Sequence, residues 1–210
     1  MTIRSESLID RLIGVVDTGL RTLVQDKSTT SIPPESDTKL SFDEKKNSAS
    51  LMRVNHAGEV CAQGLYEGQA LVSRNESVRG ELLQAARDER RHLQWCEERL
   101  SQLEDSRSVL VPIFYGMSVF VGAIAGLVGD KMSLGFVEAT EDQVVKHLDK
   151  HLAEMSSKDS CSREILERIR EDEKRHGLRA IEKGGVEFPK PVKTGMTLAS
   201  KLMTETTRHI

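Results

Sequence analysis

Two segments of the chain are nearly identical: Asp88-Glu89-Arg90-Arg91-His92 and Asp172-Glu173-Lys174-Arg175-His176. In a helix, Glu-x-x-His places a carboxylate and an imidazole one turn apart on one face, where both can reach the same metal ion. One copy alone is weak evidence, because charged helices often carry such residues on solvated ion-pair faces. Two copies that share the pattern D-E-[RK]-R-H predict a pair of helices that serve the same function.

The position of these motifs on their helices gives a second indication. Glu89 and His92 continue a stripe of apolar residues spaced three or four positions apart, and Glu173 and His176 do the same in the second copy. Such a stripe faces the protein core. A charged carboxylate is costly to bury alone, and coordination to a metal ion offsets that cost. The motifs therefore predict a metal centre inside a helical core.

Each motif is preceded by a helix that offers one more carboxylate on its apolar stripe. These carboxylates are Glu59 in the first half and Glu141 in the second. Glu138 is a rival to Glu141, and we prefer Glu141 because it fits both possible stripes of that helix. The predicted metal ligands are Glu59, Glu89, His92, Glu141, Glu173 and His176.

A set of four carboxylates and two histidines suits iron or manganese better than zinc. It is also the ligand set of ferritin-like bundles that hold two such ions, so we expect two iron ions as the cofactor. Asp88 and Asp172 are expected to accept a hydrogen bond from the second ring nitrogen of a ligand histidine. His147 and His151 lie four residues apart near the face of Glu141, either as pocket groups or as surface histidines.

The composition agrees with a helical protein, since only 4% of residues are aromatic and strand-forming runs are scarce. We expect an all-α fold, a ferritin-like four-helix bundle with a di-iron core. Residues 1–40 would form an N-terminal amphipathic helix (6–25) and a linker, residues 41–190 the bundle, and residues 191–210 a tail with a short helix. The predicted bundle helices run from Ser41 to about Ser73 and over about 77–103, 133–155 and 162–183, and Ser41 and Glu44 fit a capping box at the first of them.

Residues 109–128 carry no charged side chain and lie between the two halves of the bundle. This length permits a membrane span, a helix buried in the core, or an element that dips into one leaflet of a bilayer. A single span would put the two halves of the metal site on opposite sides of the membrane, so we prefer the third interpretation. Gly122 and Gly126 form a G-x-x-x-G pattern, which favours close helix packing.

Charge and cysteine content restrict the partners and the compartment. The net charge of −3 argues against nucleic acid as a partner. Three widely spaced cysteines, Cys61, Cys96 and Cys161, are typical of free thiols in a reducing compartment. Charged residues interrupt the N-terminal segment, so it does not fit a secretory signal. We therefore expect a bacterial protein that faces the cytoplasm.

Several motifs resemble those of the bacterial Coq7 proteins. They are Arg53-x-x-x-Ala57-Gly58-Glu59, the two Glu-x-x-His motifs, and the segment GDKMSLGFVE at 129–138, and the resemblance extends over about residues 5–190. It implies a di-iron monooxygenase that hydroxylates 2-polyprenyl-3-methyl-6-methoxy-1,4-benzoquinone (demethoxyubiquinone) with O2. It also implies the same six ligands, with Glu89 or Glu173 as a bridge. The family often carries Trp-Tyr where this chain has Phe114-Tyr115.

The resemblance further implies an external electron donor, other ubiquinone-biosynthesis proteins as partners, and a peripheral position on the cytoplasmic side of the inner membrane. Two alternatives remain. A ferritin- or rubrerythrin-like protein for iron storage or peroxide reduction would share the ligands but would not need the uncharged segment at 109–128. A non-catalytic membrane-associated bundle would need that segment but not the buried ligands. Both features together favour the hydroxylase.

Overall fold

The structure is a computed structural model that describes residues 7–24 and 39–208. Every regular element among these residues is an α helix, as the composition predicts. The helices are α1 (Leu8–Leu23), α2 (Phe42–Val72), α3 (Glu76–Gln102), α4 (Val111–Val128), α5 (Asp130–Glu154), α6 (Ser160–Glu182) and α7 (Lys190–Thr207). The predicted linker before Ser41 lies mostly outside the described residues.

Polar side chains cap several of these helices. Ser41 and Glu44 form the predicted capping box of α2, in which each side chain accepts a hydrogen bond from the backbone N–H of the other residue. The side chains of Asn75 and Asp159 accept from the first turns of α3 and α6. α5 begins earlier than predicted, because Gly129 adopts a φ of 129° and allows α5 to follow α4 directly.

Two helix hairpins, α2–α3 and α5–α6, form the bundle. Apolar clusters fill its core on both sides of a central polar region. Buried residues of the first cluster include Met52, Leu100, Leu148 and Ile169. Buried residues of the second include Tyr66, Leu82, Leu134 and Ala180. Each predicted ligand lies between these two clusters on its helix, as Glu59 does between Met52 and Tyr66 on α2.

α4 packs along α2 through glycines. A Cβ atom added to Gly68 would lie 2.1 Å from the carbonyl oxygen of Val119, and one added to Gly122 would lie 2.1 Å from that of Leu65. A Cβ on Gly126 would lie 2.5 Å from the side chain of Val72. The close packing predicted from the Gly122 and Gly126 pattern is therefore present, and it requires small residues on both helices.

The outer face of α4 is apolar and exposed, so the interpretation as a helix buried in the core is wrong. α4 is long and apolar enough to cross a membrane, with a mean hydropathy of 2.0. It lies along α2 of the same bundle that α5 and α6 complete, which disfavours a crossing by α4 alone. The exposed apolar residues of α4 are Ile113, Met117, Phe120, Val121, Ile124, Leu127 and Val128.

α1 extends this exposed apolar area. It packs against α2 and α4, and the hydroxyl oxygen of Tyr115 lies 3.0 Å from the carbonyl oxygen of Val15. The outer side of α1 exposes Leu8, Ile9, Leu12, Ile13, Val16 and Leu20. We call this area and the exposed residues of α4 together the apolar surface.

Candidate metal centre

The structure brings all six predicted ligand residues together in the polar centre of the bundle. They form two overlapping groups, and within each group the candidate ligand atoms lie within 4.8 Å of one another. The first group contains Glu59, Glu89, His92 and Glu173, and the second contains Glu89, Glu141, Glu173 and His176. All six are buried. Glu89 and Glu173 belong to both groups, so either could bridge two ions.

Each histidine directs its Nδ1 atom into the cluster. The Nδ1 atom of His92 lies 3.2 Å from Glu89, 3.4 Å from Glu59 and 3.1 Å from Glu173. The Nδ1 atom of His176 lies 3.1 Å from Glu173, 3.3 Å from Glu89 and 4.0 Å from Glu141. Two nitrogen donors thus face four carboxylates, with one histidine in each group.

The outward nitrogen of each histidine meets an aspartate from the other hairpin. His92 Nε2 lies 3.0 Å from Asp172, and His176 Nε2 lies 3.3 Å from Asp88. Burial raises the pKa of Asp172, but hydrogen bonds from His92 and Arg175 outweigh burial and hold it below its usual value. An ionised carboxylate can only accept, so Asp172 favours a proton on Nε2 of His92, which leaves Nδ1 as the nitrogen that would bind a metal ion.

Glu138, the rival to Glu141, faces away from this cluster. Its carboxylate lies 2.9 Å from the ammonium group of Lys193 on α7. The side chain of Glu141, in contrast, is only 1% exposed and lies among the other candidate ligands. Glu138 is therefore not part of the centre, and Lys193 pairs with its charge instead.

The donor set fits a divalent cation. Burial in the bundle raises the pKa of Glu59 and of Glu141 well above the usual carboxyl value. Both carboxylate oxygens of Glu141 are buried without a hydrogen-bond partner. Buried carboxylates are normally hydrogen-bonded, paired or coordinated to metal. A pair of metal ions would supply the missing partner, and the mixed oxygen and nitrogen donors suit iron or manganese.

The histidines left open by the sequence are not surface groups. His151 is 4% exposed, and its Nδ1 atom lies 2.9 Å from the side-chain oxygen of Asn55, one turn before Glu59 on α2. His147 is half-buried beside it, with the two ring centroids 3.9 Å apart. Burial lowers the pKa of His147 to about 4, so its ring is neutral at pH 7.

Glu67 belongs to a buried polar group that the sequence analysis did not identify. Glu67 on α2 is buried, accepts hydrogen bonds from Gln63 and Tyr115, and thereby connects α2 to α4. Gln63 in turn accepts from Thr22 of α1 at 3.0 Å. In the sequence, Glu67 is only a glutamate two turns after Glu59, and this spacing does not distinguish a buried carboxylate from a solvated one.

Comparison with known proteins gives concordant results. The family model described as ubiquinone biosynthesis protein COQ7 matches residues 46–207. The 3-demethoxyubiquinol 3-hydroxylase of Stutzerimonas stutzeri (strain A1501) is 52% identical, with 99% of this chain and 98% of that protein covered. The protein of the same name from Pseudomonas aeruginosa (strain LESB58) is 50% identical over the same shares.

Similarity to a solved structure supports the fold. A dodecameric thioferritin, the bacterioferritin-related protein of Bacteroides fragilis, matches with a TM-score of 0.54 and 19% sequence identity. The match covers 66% of this chain and 84% of that one. The predicted ferritin-like helical bundle is thus confirmed.

Proposed function

The chain belongs to the COQ7 family of ubiquinone biosynthesis proteins, and from this premise we propose that it hydroxylates the ring of demethoxyubiquinone in its reduced form. The curated relatives that cover nearly the whole chain are named 3-demethoxyubiquinol 3-hydroxylase, which supports this substrate. In the reaction, one oxygen atom of O2 replaces a ring hydrogen as a hydroxyl group. The other leaves as water, with two electrons from an external donor and two protons.

The observation that carries the proposal is the pair of overlapping ligand groups in the bundle core. Two iron ions bound there would supply the redox chemistry that activates O2. Glu59 and His92 would hold one ion, Glu141 and His176 the other, and Glu89 and Glu173 would bridge them. Asp172 and Asp88 would keep the histidines in the tautomer that offers Nδ1 to the metal. The apolar clusters on both sides would exclude bulk water from the centre.

We also propose that the protein attaches peripherally to the cytoplasmic side of the bacterial inner membrane through the apolar surface. A polyprenyl quinone remains in the bilayer, so an enzyme that acts on its ring must work at the membrane. Phe120 and Leu127 on α4 are 67% and 69% exposed, and Ile9 on α1 is 69% exposed. Each such side chain contributes roughly 1.5 kcal/mol or more when fully buried in lipid.

A ferritin- or rubrerythrin-like role in iron storage or peroxide reduction would use the same ligand chemistry. That alternative does not account for the apolar surface, because large contiguous apolar patches on a protein usually mark an interaction site. The thioferritin match bears on the fold alone. The apolar surface and the curated relatives therefore favour the hydroxylase.

Metal analysis of matched variants tests the ligand assignment. We expect iron-loaded wild-type protein to contain two iron ions per chain with the Mössbauer spectrum of a coupled pair. Glu141→Ala should lose iron because it removes a ligand. Glu138→Ala is the control, since it removes a carboxylate one turn away that pairs with Lys193. If Glu138→Ala loses iron and Glu141→Ala retains it, the assignment is wrong.

Labelled oxygen tests the reaction. Reduced enzyme, demethoxyubiquinol and labelled O2 should give a hydroxylated quinol with one labelled oxygen atom, measured by mass spectrometry. His92→Ala and Glu173→Ala should abolish this product, since each removes a proposed ligand. Rapid peroxide consumption without labelled product would instead support the peroxide-reducing alternative.

A further inference from the structure

A cavity of 260 Å³ lies between α1, α2 and α3. Its volume is far larger than the ~30 Å³ that one water molecule occupies in the liquid. None of the six proposed metal ligands is among the residues that line it. The cavity is therefore separate from the metal centre and needs its own explanation.

The lining of this cavity is strongly basic. Four arginines line the cavity: Arg11, Arg79, Arg87 and Arg90. The acidic lining residues are Asp10 and Glu67. Burial raises the pKa of Glu67 to about 7, so this carboxyl is only partly ionised near neutral pH. Glu76 beside the cavity pairs with both Arg11 and Arg79 and offsets part of this charge, but the four guanidinium groups still outnumber the nearby carboxylates. Guanidinium groups are well suited to bind phosphate oxygens.

Two of these arginines contribute to the cavity in different ways. Arg11 is held by the carbonyl oxygen of Ser73 at 3.1 Å and by Glu76 at 2.9 Å, while its Nε–H group is buried without a hydrogen-bond partner. Arg87 donates to the neutral side-chain oxygen of Gln84 at 2.7 Å. A phosphate in the cavity could accept from Arg87, while Arg11 stays paired with Glu76 and adds positive charge to the lining.

The cavity lies directly behind the apolar surface. Arg11, Gly14 and Thr18 of α1 line the cavity, and Leu12, Ile13 and Val16 of the same helix are exposed on its outer side. One helix diameter, ~10 Å, therefore separates the cavity from the apolar side. An amphipathic helix on a membrane buries its apolar face ~5–10 Å into the boundary between headgroups and acyl chains. With α1 in that position, the cavity is level with the lipid phosphates.

We propose that this cavity binds the phosphate headgroup of an anionic phospholipid, such as phosphatidylglycerol. The inference rests on the membrane attachment given under the proposed function. The glycerophosphate group would enter between α1 and α3 and accept hydrogen bonds from the arginines, while the acyl chains pass beside α1 into the bilayer. The contact would orient the enzyme on the membrane. A free phosphate ion has the same binding chemistry and is distinguished by the experiment.

Vesicle flotation of the full chain tests the site. The wild type should bind vesicles that contain phosphatidylglycerol more tightly than vesicles of phosphatidylcholine alone. Arg87→Gln should reduce this preference about fivefold and leave binding to phosphatidylcholine unchanged. Arg168→Gln is the matched control, because Arg168 is an exposed arginine on α6 that pairs with Glu164. Equal losses in the two variants would show that the preference comes from general surface charge and would overturn the proposal.

Competition with soluble ligands identifies the source of the phosphate. Short-chain phosphatidylglycerol should displace the protein from anionic vesicles at lower concentration than inorganic phosphate at equal ionic strength. If inorganic phosphate competes equally well, the cavity binds free phosphate and the lipid assignment is wrong. Equal binding of the wild type to both kinds of vesicle would refute the headgroup site and leave membrane attachment intact. Binding of short-chain phosphatidylglycerol without binding to any vesicle would refute the attachment and support the site.

Discussion

The close approach of α2 and α4 leads to a sharp prediction about stability. Gly122→Ala adds a Cβ atom that would lie 2.1 Å from the backbone carbonyl oxygen of Leu65, where ordinary contacts begin at 3.4 Å. A backbone carbonyl cannot rotate away as a side chain can. The two helices must therefore separate locally, and α4 must lose part of its contact with α2.

Overpacking of this kind costs ~1–3 kcal/mol, and the backbone obstacle favours the upper end of that range. Alanine also has a higher helix propensity than glycine, which returns up to ~1 kcal/mol. We thus expect Gly122→Ala to lower the free energy of unfolding by about 2 kcal/mol. In a chain of this length, that corresponds to a fall in Tm of ~4–8 °C.

Gly116→Ala is the matched control on the same helix. A Cβ atom on Gly116 has no neighbour within 4 Å, so this variant should gain stability from helix propensity alone. Urea and thermal unfolding followed by far-ultraviolet circular dichroism would measure both variants. If Gly122→Ala is as stable as Gly116→Ala, the close contact of Gly122 with Leu65 does not determine how α4 packs.

Three further changes test other parts of the structure. Asp172→Ala should weaken iron binding ~10–100-fold, because it removes the acceptor that orients His92; unchanged affinity in a chelator competition would contradict this role. The pKa of Glu67 is about 7 in the folded state and 4.5 ordinarily, so the folded protein keeps a proton that the unfolded chain releases between these values. The free energy of unfolding of the wild type, measured relative to Glu67→Gln in urea titrations, should therefore fall by at most about 3 kcal/mol as pH rises from 4.5 to 7. A difference between the two proteins that stays constant with pH would refute the raised pKa of Glu67. Phe120→Asp should weaken vesicle binding at least ~10-fold, because it removes an apolar contact and adds a charge. Leu178 on α6 is equally exposed at 67%, and Leu178→Asp should leave vesicle binding unchanged. Equal effects of the two substitutions would argue against α4 as the membrane contact.

Much of the candidate site was predictable because its residues lie close together in the sequence, within single helices. Glu89 with His92, and Glu173 with His176, are one helical turn apart on apolar stripes, and helix geometry alone then places each pair on one face. The capping pair Ser41 and Glu44 marked the start of α2 for the same reason. Helix ends were predicted less accurately, and α5 begins at Asp130 because Gly129 permits an immediate turn.

Contacts between hairpins were not predictable from local patterns. The sequence indicated that Asp88 and Asp172 would support the histidines, but not that each would bond to the histidine of the opposite hairpin. That pairing depends on how the two hairpins face each other. The partner of Glu138 likewise could not be predicted, because its ion pair is with Lys193 on α7, a residue far away in the chain.

The amino-acid sequence by itself determined the helical class, the six candidate ligands and the presence of an uncharged segment between the two halves of the bundle. Only the tertiary structure decided that this segment is one helix packed on α2 with its outer face exposed, and that α1 encloses an arginine-lined cavity behind the same surface. Helical periodicity is set by neighbours three or four residues away, so it can be read along the chain. Which face of α4 is covered, and which arginines converge, depends on the packing of helices that are distant in sequence.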